Sequence, residues 1–202
     1  MALFLVPVTL QEHAESSSHV LENRILIDSR LTLDEALYGL HIPEPIKNNL
    51  CVIDIKYWGF DSESHLGQIV TTSELKTEVA AIFDTIYRKK FPIEKIIPIV
   101  HYGWSDSLSM AANNTFCFNY RKIKDSQLLS PHAFGIAIDI NPMQNPYIKY
   151  GTKIKEPKYA TYDERLMGTI TENSIVVKVF KQYGWKWGGD WRFTKDYQHF
   201  YK

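Results

Sequence analysis

Two histidine–aspartate pairs are the residues of this sequence whose types and spacing could do chemistry. His132 and Asp139 lie close together in the segment that begins at Ser130, and Asp196 precedes His199 near the C-terminus. A hydrolytic zinc ion needs three protein ligands and an open position for water, and both imidazole and carboxylate are suitable ligands. Two histidines and one aspartate would fill this set and leave one carboxylate spare. The four residues therefore have the composition of a hydrolytic zinc site with one ion per chain.

The role of each residue follows from its charge and position. His132, Asp139 and His199 are the candidate ligands, and a zinc ion that they hold would acidify water and polarise a carbonyl group. Asp196 is the carboxylate available to accept the proton of that water and return it to the leaving amine. The alternative for Asp196 is a supporting partner of the ligands or a surface charge.

The elements that must position these residues predict an α+β fold. Alternation over residues 134–141 predicts a strand that presents Asp139 on the face opposite three isoleucines. A strand is also predicted from Cys51, and helical spacing of apolar residues predicts amphipathic helices over residues 73–90 and 172–183. The helices are expected to bury their apolar faces against the strands.

The connecting segments carry weaker patterns. A short apolar segment occurs at residues 69–70, and a strand is predicted over residues 96–101. Residues 102–120 have no hydrophobic period and are predicted to be a long loop, whose aromatic and asparagine content favours an ordered binding loop. Residues 147–168 are predicted to be a second irregular segment.

The first 50 residues show no chemistry. We expect residues 1–50 to be a loosely packed N-terminal extension, with one short helix around residues 33–40 that Thr32 could cap. The predicted domains are therefore this extension and one domain over residues 51–202. The apolar first eight residues are too short to span a bilayer and are a poor signal peptide.

Composition excludes several classes of protein and site. The chain has 202 residues, 45% hydrophobic and 13% aromatic, which is typical of a folded globule. Lys+Arg 23 balance Asp+Glu 23, so charge gives no reason to expect nucleic acid or an anionic membrane as a partner. Cys51 and Cys117 form no CxxC pair, which excludes zinc held by thiolates; a disulfide between them stays open. We expect a monomer.

The paired segments resemble the D-alanyl-D-alanine carboxypeptidase family of zinc peptidases. This family includes the bacteriophage L-alanyl-D-glutamate endolysins and is structurally related to the Hedgehog signalling domain. The resemblance covers about residues 51–201 and rests on Ser130-x-His132-x-x-Gly135-x-Ala137-x-Asp139, Trp187-Gly188-Gly189-Asp190-Trp191 and Asp196-x-x-His199-Phe200. A lone histidine would more often be a buried structural residue, but two histidines and two aspartates in matching motifs favour a metal site.

The resemblance implies a fold and further site residues. The fold would be Hedgehog/DD-peptidase-like, with a small antiparallel sheet flanked by helices. Asp196 would be the general base, and Arg121 would stabilise the oxyanion of the tetrahedral intermediate, although a structural ion pair explains Arg121 equally well. Ser130 is expected to be an orienting hydrogen-bond donor. The residues expected to contact substrate or support the site are Ser130, Asp106, Asp190, Trp187 and Trp191. For the tryptophans, packing in the core is the stronger alternative.

The implied function is hydrolysis of a bacterial peptidoglycan stem peptide by metal-activated water. The motifs do not choose between removal of a terminal D-Ala and cleavage of the L-Ala–D-Glu bond. The alternatives are a non-catalytic zinc-binding module, as in the Hedgehog relatives, and an amidase that acts on another peptide-like bond. Asp196 argues against the module, because metal held for structure needs no adjacent base.

The expected compartment depends on the source of the protein. A bacterial cell-wall enzyme would act in the periplasm or outside the cell, and its leader would be missing from this sequence. A phage lysin would be cytoplasmic before its release. No membrane-spanning segment is expected.

Overall fold

The computed structural model describes residues 24–152 and 155–202. The expectations about the apolar first residues lie outside these ranges. Strands and short helices alternate along the described chain, which confirms the α+β class. In chain order the strands and α-helices are β1 (Ile25–Ile27), α1 (Leu33–Ala36), α2 (Glu44–Lys47), β2 (Leu50–Trp58), β3 (Ser64–Thr72), α3 (Lys76–Arg88), β4 (Lys95–Ile96), α4 (Asp106–Ala111), β5 (Asn114–Thr115), β6 (Ala137–Asp139), β7 (Tyr147–Lys149), β8 (Lys155–Glu156), α5 (Ile175–Gln182), β9 (Lys186–Trp187), β10 (Thr194–Asp196) and β11 (His199–Tyr201).

The described strands form four small sheets. β2 and β3 are long antiparallel partners, and β1 pairs with β3 in parallel. Two wholly antiparallel sheets have the strand orders β6-β11-β9 and β10-β7-β8, and β4 pairs with β5 in parallel. The single small antiparallel sheet that was expected is therefore divided. The two antiparallel sheets carry four of the predicted site residues, which are Asp139, Trp187, Asp196 and His199.

The main core lies between the β2–β3 pair and helices α3 and α5. The predicted apolar stripe of α3 is confirmed, because Val79, Ile82, Phe83 and Ile86 are all buried. The ring of Phe83 meets that of Phe180, from α5, edge to face at 6.4 Å. Each fully buried apolar side chain of this size stabilises the fold by about 1.5–3 kcal/mol. No helix within the described ranges is long and apolar enough to cross a membrane.

The described part of the N-terminal extension packs closely on the rest of the chain. Thr32 caps α1 as predicted, in a capping box with Glu35. Ala36 and Leu37 are buried in a second apolar cluster, whose other buried members are Leu50, Val70 and Phe118. The prediction of loose packing is therefore wrong for residues 24–50, and the domain boundary at residue 50 stays a prediction.

Several short elements occur where the sequence predicted loops. The segment 102–120 contains α4 and β5, and the segment 147–168 contains β7 and β8. Residues Ile99–Tyr102 form a 3₁₀ helix, so the strand predicted over 96–101 is wrong beyond Ile96. The side chain of Asn114 bonds both the N–H and the carbonyl of Ile97. Such contacts between distant residues specify short elements that carry no hydrophobic period of their own.

Candidate metal centre and active site

The antiparallel pair β6–β11 brings two of the predicted ligands together. His199 lies directly opposite Asp139 in this pair, so both side chains project from the same face of the sheet. The backbone of Asp139 is also fixed on its other side, where its N–H and carbonyl both bond Phe116. The sheet therefore positions a carboxylate and an imidazole that are sixty residues apart in sequence.

His132 reaches the same point from a 3₁₀ helix, Pro131–Phe134. Ser130 begins this helix, and its hydroxyl accepts a hydrogen bond from the N–H of His132 at 3.3 Å. Gly135 ends it with φ +66°, a conformation that favours glycine. A Cβ atom at Gly135 would lie 2.8 Å from the backbone nitrogen of Thr72, so the turn also packs closely on β3.

The donor atoms of the three residues converge. Nε2 of His132 lies 3.3 Å from Oδ2 of Asp139, and Nδ1 of His199 lies 2.8 Å from Oδ1 of Asp139. The two imidazole nitrogens are 3.3 Å apart. Zinc bonds of 2.0–2.1 Å give a tetrahedron whose edges are roughly 3.3 Å long. The spacing and the chemistry of this donor set therefore fit one tetrahedral zinc ion with a fourth position open.

The orientation of His132 is set by an outer partner. Its Nδ1 lies 2.6 Å from the carbonyl oxygen of Cys117, which can only accept, so this nitrogen carries the proton. Nε2 is then the atom with a free lone pair, and it faces Asp139 and His199. Outer partners of this kind hold a metal-binding imidazole in one tautomer.

The cluster favours an ionised carboxylate among nitrogen donors. Burial alone would raise the pKa of Asp139, but the charges and hydrogen bonds of His132 and His199 outweigh burial and hold this pKa well below its usual range. Burial alone would lower the pKa of His199, but its hydrogen bond to Asp139 and the charges of Asp139 and Asp196 together outweigh burial and raise this pKa. An anionic oxygen with two imidazoles is a suitable ligand set for a dication.

Asp196 lies beside this cluster with an unsatisfied oxygen. Its Oδ1 is buried and has no hydrogen-bond partner among the described residues. Burial raises the pKa of Asp196 to about 6, and His199 partly offsets this rise. The backbone of Gly188 packs directly on Asp196, because a Cβ atom at Gly188 would lie 2.5 Å from the Asp196 carbonyl oxygen. A buried carboxylate oxygen without a partner, next to converging ligands, fits a site completed by metal and water.

Arg121 is held by a network behind the ligands. Its Nε makes an ion pair with Oδ2 of Asp106, and Oδ1 of Asp106 accepts from the side chain of Asn119 at 2.7 Å. The N–H of Asn119 bonds the carbonyl of His132 at 3.1 Å. Burial raises the pKa of Asp106, and Arg121 partly offsets this rise. The structural ion pair expected as one alternative for Arg121 is present, while its contact with an oxyanion stays a prediction.

Four other residues were expected to contact substrate or support the site, and each has different surroundings in the structure. The hydroxyl of Ser130 accepts a hydrogen bond from the backbone N–H of His132, and its role as an orienting donor stays a prediction. Asp190 pairs with Lys181 on the surface. Trp187 is buried in the main core and donates to the carbonyl of Tyr197, which supports its packing alternative. Trp191 lies nearer the cluster, with its ring 5.9 Å from that of His199.

Three supporting residues were not predicted from the sequence. They are Cys117, whose carbonyl orients His132, Asn119, which links His132 to Asp106, and Tyr147, which lies opposite Asp196 in the pair β7–β10. Cys117 acts through its backbone, for which residue type gives no signal. Tyr147 lies in a segment without hydrophobic period, and only the pairing of β7 with β10 shows that Asp196 is its neighbour.

One comparison with known proteins bears on this geometry. Residues 124–202 match a family model described as D-alanyl-D-alanine carboxypeptidase. No curated protein and no solved structure matches the chain significantly. The matched segment contains the three converging ligands and Asp196, and it begins after Asp106 and Arg121. Residues 124–202, which hold the candidate metal centre, are therefore similar to the D-alanyl-D-alanine carboxypeptidase family.

Proposed function

We propose that this chain is a zinc-dependent peptidase that hydrolyses stem peptides of bacterial peptidoglycan. The family match supports a peptidase of this substrate class. The observation that carries the proposal is the partnerless Oδ1 of Asp196 beside three converging ligands. A zinc ion held only for structure needs no such carboxylate, whereas a hydrolase needs a base within reach of the attacking water.

His132, Asp139 and His199 would hold the ion through Nε2, a carboxylate oxygen and Nδ1. A zinc ion bound there would supply Lewis acidity toward a water molecule and the peptide carbonyl. Asp196 accepts a proton from the attacking water as the C–O bond forms. It then gives this proton to the nitrogen of the leaving amine as the C–N bond breaks, so the carboxylate ends the cycle unprotonated.

Arg121 would stabilise the negative charge that develops on the carbonyl oxygen. Its guanidinium presents several N–H donors in one plane, and the ion pair with Asp106 engages only Nε. Nη1 donates to the carbonyl of Lys122 at 3.3 Å. Arg121 is linked to the ligand cluster through Asp106 and Asn119, because the N–H of Asn119 bonds the carbonyl of His132.

The proposal includes two candidate scissile bonds. Removal of a terminal D-Ala and cleavage of L-Ala–D-Glu are both compatible with the family and the ligand set. The compartment follows from the substrate: a bacterial protein would act in the periplasm or outside the cell, and a phage protein would be cytoplasmic until release.

A synthetic stem peptide that contains both the L-Ala–D-Glu bond and a terminal D-Ala–D-Ala bond tests the proposal. The purified protein is incubated with this peptide, with added zinc or with a chelator, and the fragments are identified by mass spectrometry. We expect cleavage at one bond only, with activity lost on chelation and restored by zinc. If the protein binds zinc and cleaves neither bond, the proposal fails and the non-catalytic zinc-binding module is favoured.

A further inference from the structure

A row of three side chains crosses the sheet that carries Asp196. In the strand order β10-β7-β8, Asp196 lies directly opposite Tyr147, and Tyr147 lies directly opposite Glu156. Directly opposite residues in antiparallel strands project from the same face, with Cβ atoms about 4.5–5.5 Å apart. The half-buried phenol of Tyr147 is therefore the immediate neighbour of the candidate general base.

The hydroxyl of Tyr147 makes no hydrogen bond with any described residue. Other tyrosine hydroxyls near the site are used within the fold: that of Tyr162 donates to the carbonyl of Ile170 at 3.1 Å. A half-buried phenol normally finds a partner, because its O–H is both a donor and an acceptor. The free hydroxyl of Tyr147 is therefore available to a ligand on the face that carries Asp196.

The segment 121–130 reaches the same face at the far end of the row, where Glu156 lies. Nζ of Lys124 lies 2.8 Å from Oε1 of Glu156, which ties the segment 121–130 to β8. This segment is closed on itself, because the N–H of Ser130 bonds the carbonyl of Arg121. Arg121 and Ser130, at its two ends, are the residues that lead into the ligand cluster. The face with Tyr147 thus extends from the base to the segment that begins at Arg121.

We propose that Tyr147 is a substrate-contacting residue that determines affinity for the peptide. Its hydroxyl donates a hydrogen bond to a backbone carbonyl of the peptide next to the bond on which Asp196 acts. This inference rests on the proposed function, since it names a contact of the same substrate. A contact that is equally strong in the ground state and in the transition state lowers KM without changing kcat. Loss of this contact should therefore raise KM and leave kcat unchanged.

The test compares Tyr147→Phe with wild type on the synthetic stem peptide that contains both candidate bonds. Loss of one neutral hydrogen bond is expected to raise KM roughly three- to tenfold, with kcat within about twofold of wild type. Zinc content and melting temperature should not change, because the hydroxyl has no partner within the described fold. The matched control is Tyr159→Phe in the same segment, a tyrosine that is 79% exposed and should behave as wild type.

A binding measurement separates this contact from a structural effect. Calorimetry with the same peptide, in the Asp196→Asn background, should show weaker binding for the Tyr147→Phe double variant by the same factor as the rise in KM. The inference is overturned if KM and the dissociation constant stay at the parent values while the parent enzyme cleaves the peptide. Absence of cleavage by wild type, with zinc bound, would instead overturn the proposed function.

Discussion

Asp139 and His199 lie directly opposite each other in the antiparallel pair β6–β11, with Nδ1 of His199 2.8 Å from Oδ1 of Asp139. Two side chains from distant parts of the chain thus become neighbours through one strand register. A slip of one residue in this register would turn His199 to the opposite face of the sheet. The centre therefore depends on the sheet as much as on the identity of its ligands.

Replacement of Asp196 should separate chemistry from metal binding. Asp196→Asn keeps the shape of the side chain but cannot accept the proton, so kcat should fall about 10²- to 10⁴-fold. Zinc content should stay near one per chain, because the three ligands are intact. Steady-state kinetics and elemental analysis check this. The control is Asp84→Asn, a surface carboxylate paired with Arg88, which should retain activity. Equal activity in Asp196→Asn and wild type would exclude Asp196 as the base.

The pH dependence of the reaction should report the same carboxylate. Burial raises the pKa of Asp196 to about 6. A general base works only when deprotonated, so kcat/KM should fall as the pH drops through this value, by about tenfold per unit below it. A bound dication lowers the pKa of a nearby carboxyl group. The acidic limb of the pH–rate profile should therefore have its midpoint at or below pH 6. The pH–rate profile, with zinc content measured at each pH, checks this. A limb above pH 7 would contradict the assignment.

Gly188 should be intolerant of a side chain because of its contact with Asp196. A Cβ atom there would lie 2.5 Å from the Asp196 carbonyl oxygen and 2.8 Å from its Cβ atom. Gly188→Ala must therefore displace Asp196, and misplacement by an ångström can reduce kcat by up to about 100-fold. The three ligands do not move, so zinc should be retained. Gly151→Ala is the comparison, because φ +74° there makes alanine strain the backbone while nothing lies within 4 Å of the added atom, so stability should fall slightly and kcat should not change. Unchanged kcat in Gly188→Ala would show that Asp196 tolerates the displacement.

The two cysteines should differ in reactivity. Both are free in the structure, which answers the question that the sequence left open. Burial raises the pKa of the Cys117 thiol to about 12, and only the thiolate reacts. A maleimide at pH 8 should therefore modify at most Cys51 in the native protein, and both residues in denaturant without reductant. Mass spectrometry counts the adducts. Denatured protein with no accessible thiol would show a disulfide instead.

Much of the site could be predicted from the sequence because its chemistry is local to two motifs. The structure brings donor atoms of His132, Asp139 and His199 within 4.8 Å of one another, whereas the roles of these residues and of Asp196 stay predictions. The α3 stripe and the Thr32 cap were also predicted, since helical period and capping depend on neighbours in sequence.

The parts that could not be predicted depend on contacts between distant segments. The strands β7 and β8 are two or three residues long and form by pairing with each other and with β10, so no alternation marks them. Close packing of residues 24–50 follows from the pairing of β1 with β3 and from burial of Ala36. The supporting role of Cys117 belongs to its carbonyl, which every residue type has.

The measurement that tests the central claim most directly is the zinc content of purified protein beside cleavage of the stem peptide, for wild type, His199→Ala and Asp196→Asn. We expect zinc near one per chain and cleavage in wild type, loss of both in His199→Ala, and zinc without cleavage in Asp196→Asn. Full zinc content in His199→Ala, or cleavage by protein stripped of metal, would contradict a catalytic zinc site held by His132, Asp139 and His199.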